Sequence, residues 1–397
     1  MEKIMNAEKS KKSKTNIVLT ICGVVGILGG VGLGVLGVMM PKEGPHEVSF
    51  PDLPSLKPKN EIYSPLTGLA VESEADVTAP TYCIQTPNGT DGARPQVGLN
   101  QAGVVFEAIA EAGITRFAAI YQDPTSAVIG PIRSLRLYYL QWDTPFDCTI
   151  VHAGGADDAI AAVRNGGYKD LSENYEYMYR SGSGNRLWNN LFTTGAYLKQ
   201  MNEDWGYGKS EVHGFARMTP DESRRTRIDE SVAEKLVITS PAGGDTSKMS
   251  PKVTGAGIYF GGWPNFNVIY NYDAEKNVYY RSYESGSAAD VYVCPEKNLG
   301  EINPDAACTP SVMSPAVVAV MMVEEHKAED NYHEDISAIG TGEAYVFQNG
   351  LVKHGSWKKS SVQDQIKFTD DSGVEIKLAP GQTFVEAVPN YGRVEYW

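Results

Sequence analysis

A chain of 397 residues with 42% apolar and 21% charged residues has a globular composition, which excludes a disordered or fibrous class. Its formal net charge of −14 repels phosphate backbones and argues against nucleic acid as a partner. Counts of 40 Gly, 22 Pro and 22 Tyr point to strands and turns, not to a helical bundle.

The first 15 residues form a basic tail, five Lys against two Glu, and residues 16–40, NIVLTICGVVGILGGVGLGVLGVMM, carry no charge. A helix over that run rises roughly 37 Å at about 1.5 Å per residue, enough for a hydrocarbon core of about 30 Å. The lysines lie on one side only, which orients the tail to the cytoplasm and the bulk of the chain outside, as a single-pass membrane protein. No small-x-small cleavage pattern follows Met40, and Ile21 before Cys22 is too large for a lipobox, so the span is expected to be retained. Gly23, Gly26, Gly30, Gly34 and Gly37 recur at spacings of three and four, a stripe through which two such helices could form a homodimer. Residues 41–62 are rich in Pro and charge and read as a stalk.

Beyond the stalk, residues 63–240 mix short apolar strands with helical stretches such as ADDAIAAVRNGG and TTGAYLKQMNEDWG. From 241 to 397 the runs are short, β-rich and broken by turns. The expectation is an α/β or α+β domain with a mixed sheet, then a mainly antiparallel β domain, with the boundary inside 235–250. Four cysteines lie outside the membrane run, and an oxidising compartment makes them two disulfides. Of three connectivities, Cys83–Cys148 and Cys294–Cys308 keep each pair within one domain.

Three stretches could carry chemistry. In GVVFEAIAEAGITRFAAIYQ, two strands flank Ala112-Gly113 as a two-residue hairpin. A regular register then sets Arg116 opposite Ile109, with Glu107 and Glu111 diagonal to it on one face. In IGPIRSLRLYYLQW, Pro131 suits the first turn of a helix, which puts Arg133 and Arg136 on one face as an anion clamp or as partners of Glu107 or Glu111. In IVHAGGADDAI, a strand ends at His152, the glycines turn the chain, and Asp157 or Asp158 caps a helix. His152 there is placed as a base or donor. H-A-G-G matches no phosphate loop, and an aspartate at the cap repels an anion. Elsewhere, His326 and His333 sit in a charged loop without a metal-ligand pattern, and Trp357, Lys358 and Lys359 either meet a glycan or guard a strand edge. No metal and no cofactor is expected.

PLTGLAV (65–71), ARPQVGLNQAGVVFEAIAEAGITRF (93–117), IGPIRSLR (129–136), IVHAGG (150–155), GTGEAYVFQNGLVKHGSWKKSS (340–361) and LAPGQTFVEAVP (378–389) together resemble the YerB-like family, in order and over nearly the whole outer part. The resemblance implies a two-domain extracytoplasmic bacterial protein, often lipid-anchored, with no assigned biochemical activity. A membrane helix here stands where the family has a lipobox. The family pattern includes the positions of Glu107, Arg116, Arg133, Arg136 and His152, and an Asn that corresponds to Asn190. The His that many relatives have before that Asn is missing here, where Trp188 and Asn189 stand.

These readings favour a membrane-anchored module that binds a cell-wall polymer or an envelope protein. The alternative is a hydrolase or transferase acting on an envelope polymer, with Glu107 and His152 as acid and base and Arg116, Arg133, Arg136, Glu111 and Asn190 holding the substrate.

Overall fold

Near-continuous apolar runs such as Val317–Val323 suit strands buried on both faces, and one large sheet is built around them. The computed structural model describes residues 61–124, 128–181, 189–227, 252–294 and 308–397. The membrane span over 16–40, its glycine stripe and the stalk up to residue 60 lie outside these, as does the expected domain boundary, while Ile62 at the end of the stalk already pairs with Val71 in a short strand. Among the described residues no helix is long and apolar enough to cross a membrane.

Pro58–Trp397 forms one compact unit. Its frame is a ten-stranded mixed sheet in the order Lys367–Asp370, Leu351–Lys359, Gly340–Gln348, Val317–Val323, Thr383–Pro389, Val104–Glu111, Ile114–Gln122, Thr81–Pro87, Thr149–His152 and Asp170–Ser172. Five strands come from each side of the 235–250 segment. The join is the parallel pairing of Thr383–Pro389 with Val104–Glu111, so backbone hydrogen bonds link the two halves. Arg217 adds to the seam, donating to Leu66 O at 2.6 Å and to Ala379 O at 3.0 Å.

Period-two alternation sorts the side chains. Val105, Ile109, Phe117, Val318 and Phe384 face one way. They pack against an antiparallel four-stranded sheet of Val278–Tyr283, Val268–Asp273, Gly255–Tyr259 and Arg393–Tyr396. Val104, Phe106, Ala118 and Val317 face the other way and meet the short helix Leu137–Asp143, whose Trp142 stacks on Phe106 at 5.4 Å. Burying both faces of the central strands contributes on the order of 25 cal/mol per Å² of apolar surface removed from water.

Sheet dominates more than expected, and the helices are short. Gly195–Trp205 forms as predicted, with Thr194 accepting from Tyr197 N at 3.1 Å as its cap. Both disulfides form in the expected pairing. Cys83–Cys148 ties neighbouring parallel strands, since Cys83 lies opposite Ile150.

Alternation also corrects the reading of Trp357. It faces the core and donates from Nε1 to Met322 O at 2.8 Å, and Lys359 is buried beside Val362 O. Of the three residues only Lys358 is exposed, and the edge strand is Lys367–Asp370 instead. A glycan platform at Trp357 is therefore ruled out.

Candidate functional site

The hairpin turn lies where Ala112-Gly113 predicts it, with φ of 50° and 76°. The register does not follow. Glu111 pairs with Ile114, but Ile109 pairs with Thr115, so Ala110 is an extra residue in a bulge. Arg116 consequently lies opposite Ala108, not Ile109, and Glu107 lies opposite Phe117. One added residue turns Glu107 to the far face and leaves Glu111 beside Arg116.

On that far face Glu107 is fully buried. It accepts from Thr115 Oγ1 at 2.6 Å and Asn88 Nδ2 at 3.1 Å, and pairs with Arg281 Nη2 at 2.5 Å. Glu386, bonded to the Tyr270 hydroxyl, completes the group. Burial and the nearby Glu107 push the Glu386 carboxyl well above the usual range, against the pull of Arg281. Arg281 and Tyr270 come from the four-stranded sheet, so this polar cluster lies between the two sheets and has no open approach.

The expected helix at Pro131 does not form. The Gly130–Pro131 bond is cis and residues 131–136 are not helical: Leu135 makes a single parallel bridge to Gly155, and the helix starts at Leu137 after Arg136 as an extended N-cap. The reason is that backbone groups here bond to other segments: Ile132 N to Leu191 O at 2.7 Å and Arg133 N to Gln85 O at 2.8 Å. Arg133 and Arg136 therefore do not share a helix face.

The opening of the next helix explains what holds this segment. His152 ends Thr149–His152, Gly154 turns at φ 69°, and the helix is Asp157–Asn165 with Ala156 as its N-cap. The two aspartates occupy the first turn, one step later than predicted, where they favour the helix dipole. Ala153 N donates to Arg133 O at 3.0 Å, Leu135 N to Gly154 O at 3.0 Å and Ala156 N to Leu135 O at 3.2 Å. The H-A-G-G turn is thus the backbone seat of the arginine segment.

His152 itself is buried, 1% exposed, with Nδ1 2.8 Å from Gly154 O and Nε2 2.8 Å from Asp170 Oδ1. Both ring nitrogens are occupied, so it positions the turn and faces no substrate. Replacing His152 by Ala is expected to cost about 1–3 kcal/mol of stability, from the two lost partners. Urea unfolding checks this, and an unchanged midpoint would contradict it.

A continuous polar arc does assemble from the remaining predicted residues. Glu111 pairs with Arg116 and, at 2.7 Å, with Arg136. Burial raises the Glu111 carboxyl, and the two guanidinium groups more than offset this, holding it below the usual carboxylate range. Arg116 also approaches Ser134 O at 3.5 Å. Arg133 donates from Nε to Asn189 Oδ1 at 3.0 Å, and Asn189 Nδ2 faces Asp91 at 3.2 Å. Asn190 accepts from Arg180 at 2.7 Å, which is itself held by Glu173 and by the Tyr175 hydroxyl.

Within this arc Arg133 is distinct. It is half-buried, and its two terminal nitrogens have no hydrogen-bond or ion-pair partner among the described residues. Burial lowers its pKa, and so does the positive field of Arg116, against the pull of the Asp91 and Glu173 carboxylates. Asn189, the residue that aims it, was missed by sequence reasoning, which weighed only Asn190.

Position in the fold supports the grouping. Thr81–Pro87, Val104–Glu111, Thr149–His152, Val317–Val323 and Thr383–Pro389 run in one direction. The arc lies at their carboxyl ends, where ligands of open α/β sheets bind. Beside it is a cleft of about 450 Å³ whose wall includes Arg136, Gly155, Asp157, Asp158 and Asp335. The described residues contain no group of three His, Cys, Asp or Glu arranged for a metal ion. His333 pairs with Asp330 at 2.6 Å, and His326 with Asp335 at 3.4 Å.

Two family models match the chain, described as the N-terminal domain and the C-terminal domain of a protein of unknown function, DUF3048, over residues 66–208 and 259–385. The chain belongs to the YerB-like DUF3048 family. YerB of Bacillus subtilis (strain 168), named as a candidate lipoprotein, is 26% identical over 344 residues, which is 83% of this chain and 87% of that protein. The crystal structure of YerB from Bacillus subtilis matches the fold with a TM-score of 0.63 and 23% identity, over 84% of this chain and all of that one. The whole arc from Glu111 to Asn190 falls within the first matched segment. Arg281 falls in the second, so the buried cluster at Glu107 is built by both segments of the YerB-like chain.

Proposed function

We propose that this protein is a membrane-tethered, extracytoplasmic module that binds an anionic cell-envelope ligand at Arg133. The observation that carries this reading is a half-buried guanidinium, aimed by Asn189, whose terminal nitrogens meet no acceptor of the described chain. In a protein of net charge −14, the other arginines of the arc make direct ion pairs with a carboxylate, whereas Asp91 and Glu173 act on Arg133 without such a pair and leave its terminal nitrogens open to an anion. Extracytoplasmic placement is supported by two disulfides, by the uncharged run at 16–40 and by the lipoprotein name of the Bacillus subtilis relative. Acid–base catalysis by His152 and Glu107 finds no support in their positions, since both are buried, fully engaged and on separate sites.

The test is binding of the full-length chain, in detergent, to poly(glycerol phosphate) as a phosphodiester probe. Arg133→Gln should weaken binding about tenfold, the effect of losing one charge-assisted contact of about 1.5–3 kcal/mol. Equal affinity of the variant and the parent would remove the reading.

A further inference from the structure

The buried cluster at Glu107 brings a hydroxyl, a carboxylate and a carboxamide into mutual contact. Asn88 follows directly on the strand Thr81–Pro87, whose last residue lies opposite Arg116, so its side chain meets the neighbouring Thr115. Asn88, Glu107 and Thr115 are each 0% exposed. The Thr115 hydroxyl donates to Glu107 Oε1 at 2.6 Å. Asn88 Nδ2 lies 2.8 Å from Thr115 Oγ1 and 3.1 Å from that same carboxylate oxygen. Arg281 holds the other oxygen, Oε2, at 2.5 Å, which leaves Oε1 to the hydroxyl and the amide. These are the parts of an activated nucleophile: an alcohol on a base, beside a group it could acylate.

The far end of the Asn88 amide is as specific. Its Oδ1 accepts from Arg94 Nε at 2.8 Å, from Gln96 Nε2 at 3.0 Å and from the Tyr283 hydroxyl at 3.0 Å. Arg94 Nε and Gln96 Nε2 can only donate, so they fix which end of the amide is oxygen. A carbonyl oxygen has two lone pairs, whereas the oxyanion of a tetrahedral intermediate has three. Three donors, one of them a guanidinium, therefore answer the intermediate better than the amide, and their distances are those of an oxyanion hole.

We propose that Thr115 and Asn88 join in an intramolecular ester. Glu107 takes the hydroxyl proton as Thr115 Oγ1 bonds to Asn88 Cγ, and Arg94, Gln96 and Tyr283 hold the charge that forms on Oδ1. The Cγ–Nδ2 bond then breaks, Glu107 returns the proton to the nitrogen, and ammonia leaves. Hydroxyl and carboxamide become ester and ammonia, and no other reactant is consumed. Both reactants are side chains of this chain, so a cluster closed to outside substrates can still react, and its burial keeps water from the ester. The bond ties the end of Thr81–Pro87 to its neighbour Ile114–Gln122, across 27 residues of sequence.

Mass spectrometry of the full-length chain tests this. After reduction of the disulfides, cleavage after Glu107 and Glu111 puts Asn88 and Thr115 on separate peptides. The parent is expected to give the two peptides joined, at one ammonia below their summed mass. Thr115→Ser should keep the link, while Thr115→Val and Glu107→Gln should each release both peptides at full mass. Separate full-mass peptides from the parent overturn the ester, whatever the variants do. So does an ammonia loss confined to the Asn88 peptide, the mark of ring closure onto the Gly89 nitrogen. A link that persists in Glu107→Gln overturns the assignment of Glu107 as the base.

Discussion

Replacing Arg281 by Met is expected to lower the unfolding free energy of the Pro58–Trp397 unit by about 3–5 kcal/mol, the cost of leaving a buried carboxylate without its partner. Arg281 and Glu107 are both fully buried in contact, and Glu386 sits close enough that Glu107 raises its pKa. Removing the guanidinium leaves two carboxyl groups facing each other between two sheets, with Thr115, Asn88 and Tyr270 as the remaining donors. The aromatic surroundings also lose a cation, since Arg281 lies 4.8 Å from the Tyr283 ring and 5.4 Å from that of Phe117. Arg281→Met combined with Glu107→Gln should recover part of the loss, because a neutral amide costs less to bury than an unpaired carboxylate. Urea unfolding of the parent, the single variant and the pair measures both effects. A single variant within about 1 kcal/mol of the parent would show that the cluster is not the bond between the sheets.

Removal of the Cys83–Cys148 disulfide by a double Ala substitution should cost about 4 kcal/mol, against about 3 kcal/mol for Cys294–Cys308. The difference follows from loop length, 65 residues closed in one case and 14 in the other. A longer closed loop removes more conformations from the unfolded chain, which is where a disulfide acts in the chain-entropy account. Unfolding curves under non-reducing conditions should rank the variants in that order. The reverse order would show that native-state contacts around the bridges outweigh loop entropy.

Much of the local structure was legible. Ala112-Gly113 marks the hairpin turn because two adjacent positive φ angles are cheapest where side chains are small. Thr194 and the GAYLKQMNEDW run specify a capped helix by local chemistry alone. The cysteine pairing followed from keeping each bridge within its own half of the chain. Thr219-Pro-Asp-Glu222 is equally readable as a capping box, and it starts the helix Pro220–Thr226.

The candidate site was legible in membership and not in geometry. Glu111, Arg116, Arg133, Arg136 and Asn190 do gather along one arc, but His152 supports it from beneath and Glu107 belongs elsewhere. The face of Glu107 turned on a single bulged residue, Ala110, and a bulge leaves no signature in a run of apolar and acidic residues. The non-helical path of 131–136 was likewise hidden, because its backbone partners, Gln85, Leu191 and Gly154, lie in three other segments. Arg281 is 174 residues from Glu107, and nothing near either one announces the other.

By itself, then, the amino-acid order determined the strand-rich class, the hairpin turn, the helix caps, the paired cysteines and the charged residues that share an edge. Each of these is set by interactions within a few residues, or by composition. Tertiary structure alone decided that both halves share one sheet, that Glu107 turns inward to Arg281, and that Arg133 is aimed by Asn189 and makes no direct ion pair among the described residues. Those outcomes depend on which distant backbone groups satisfy one another, and hydrogen bonds between remote strands are not encoded in any local pattern.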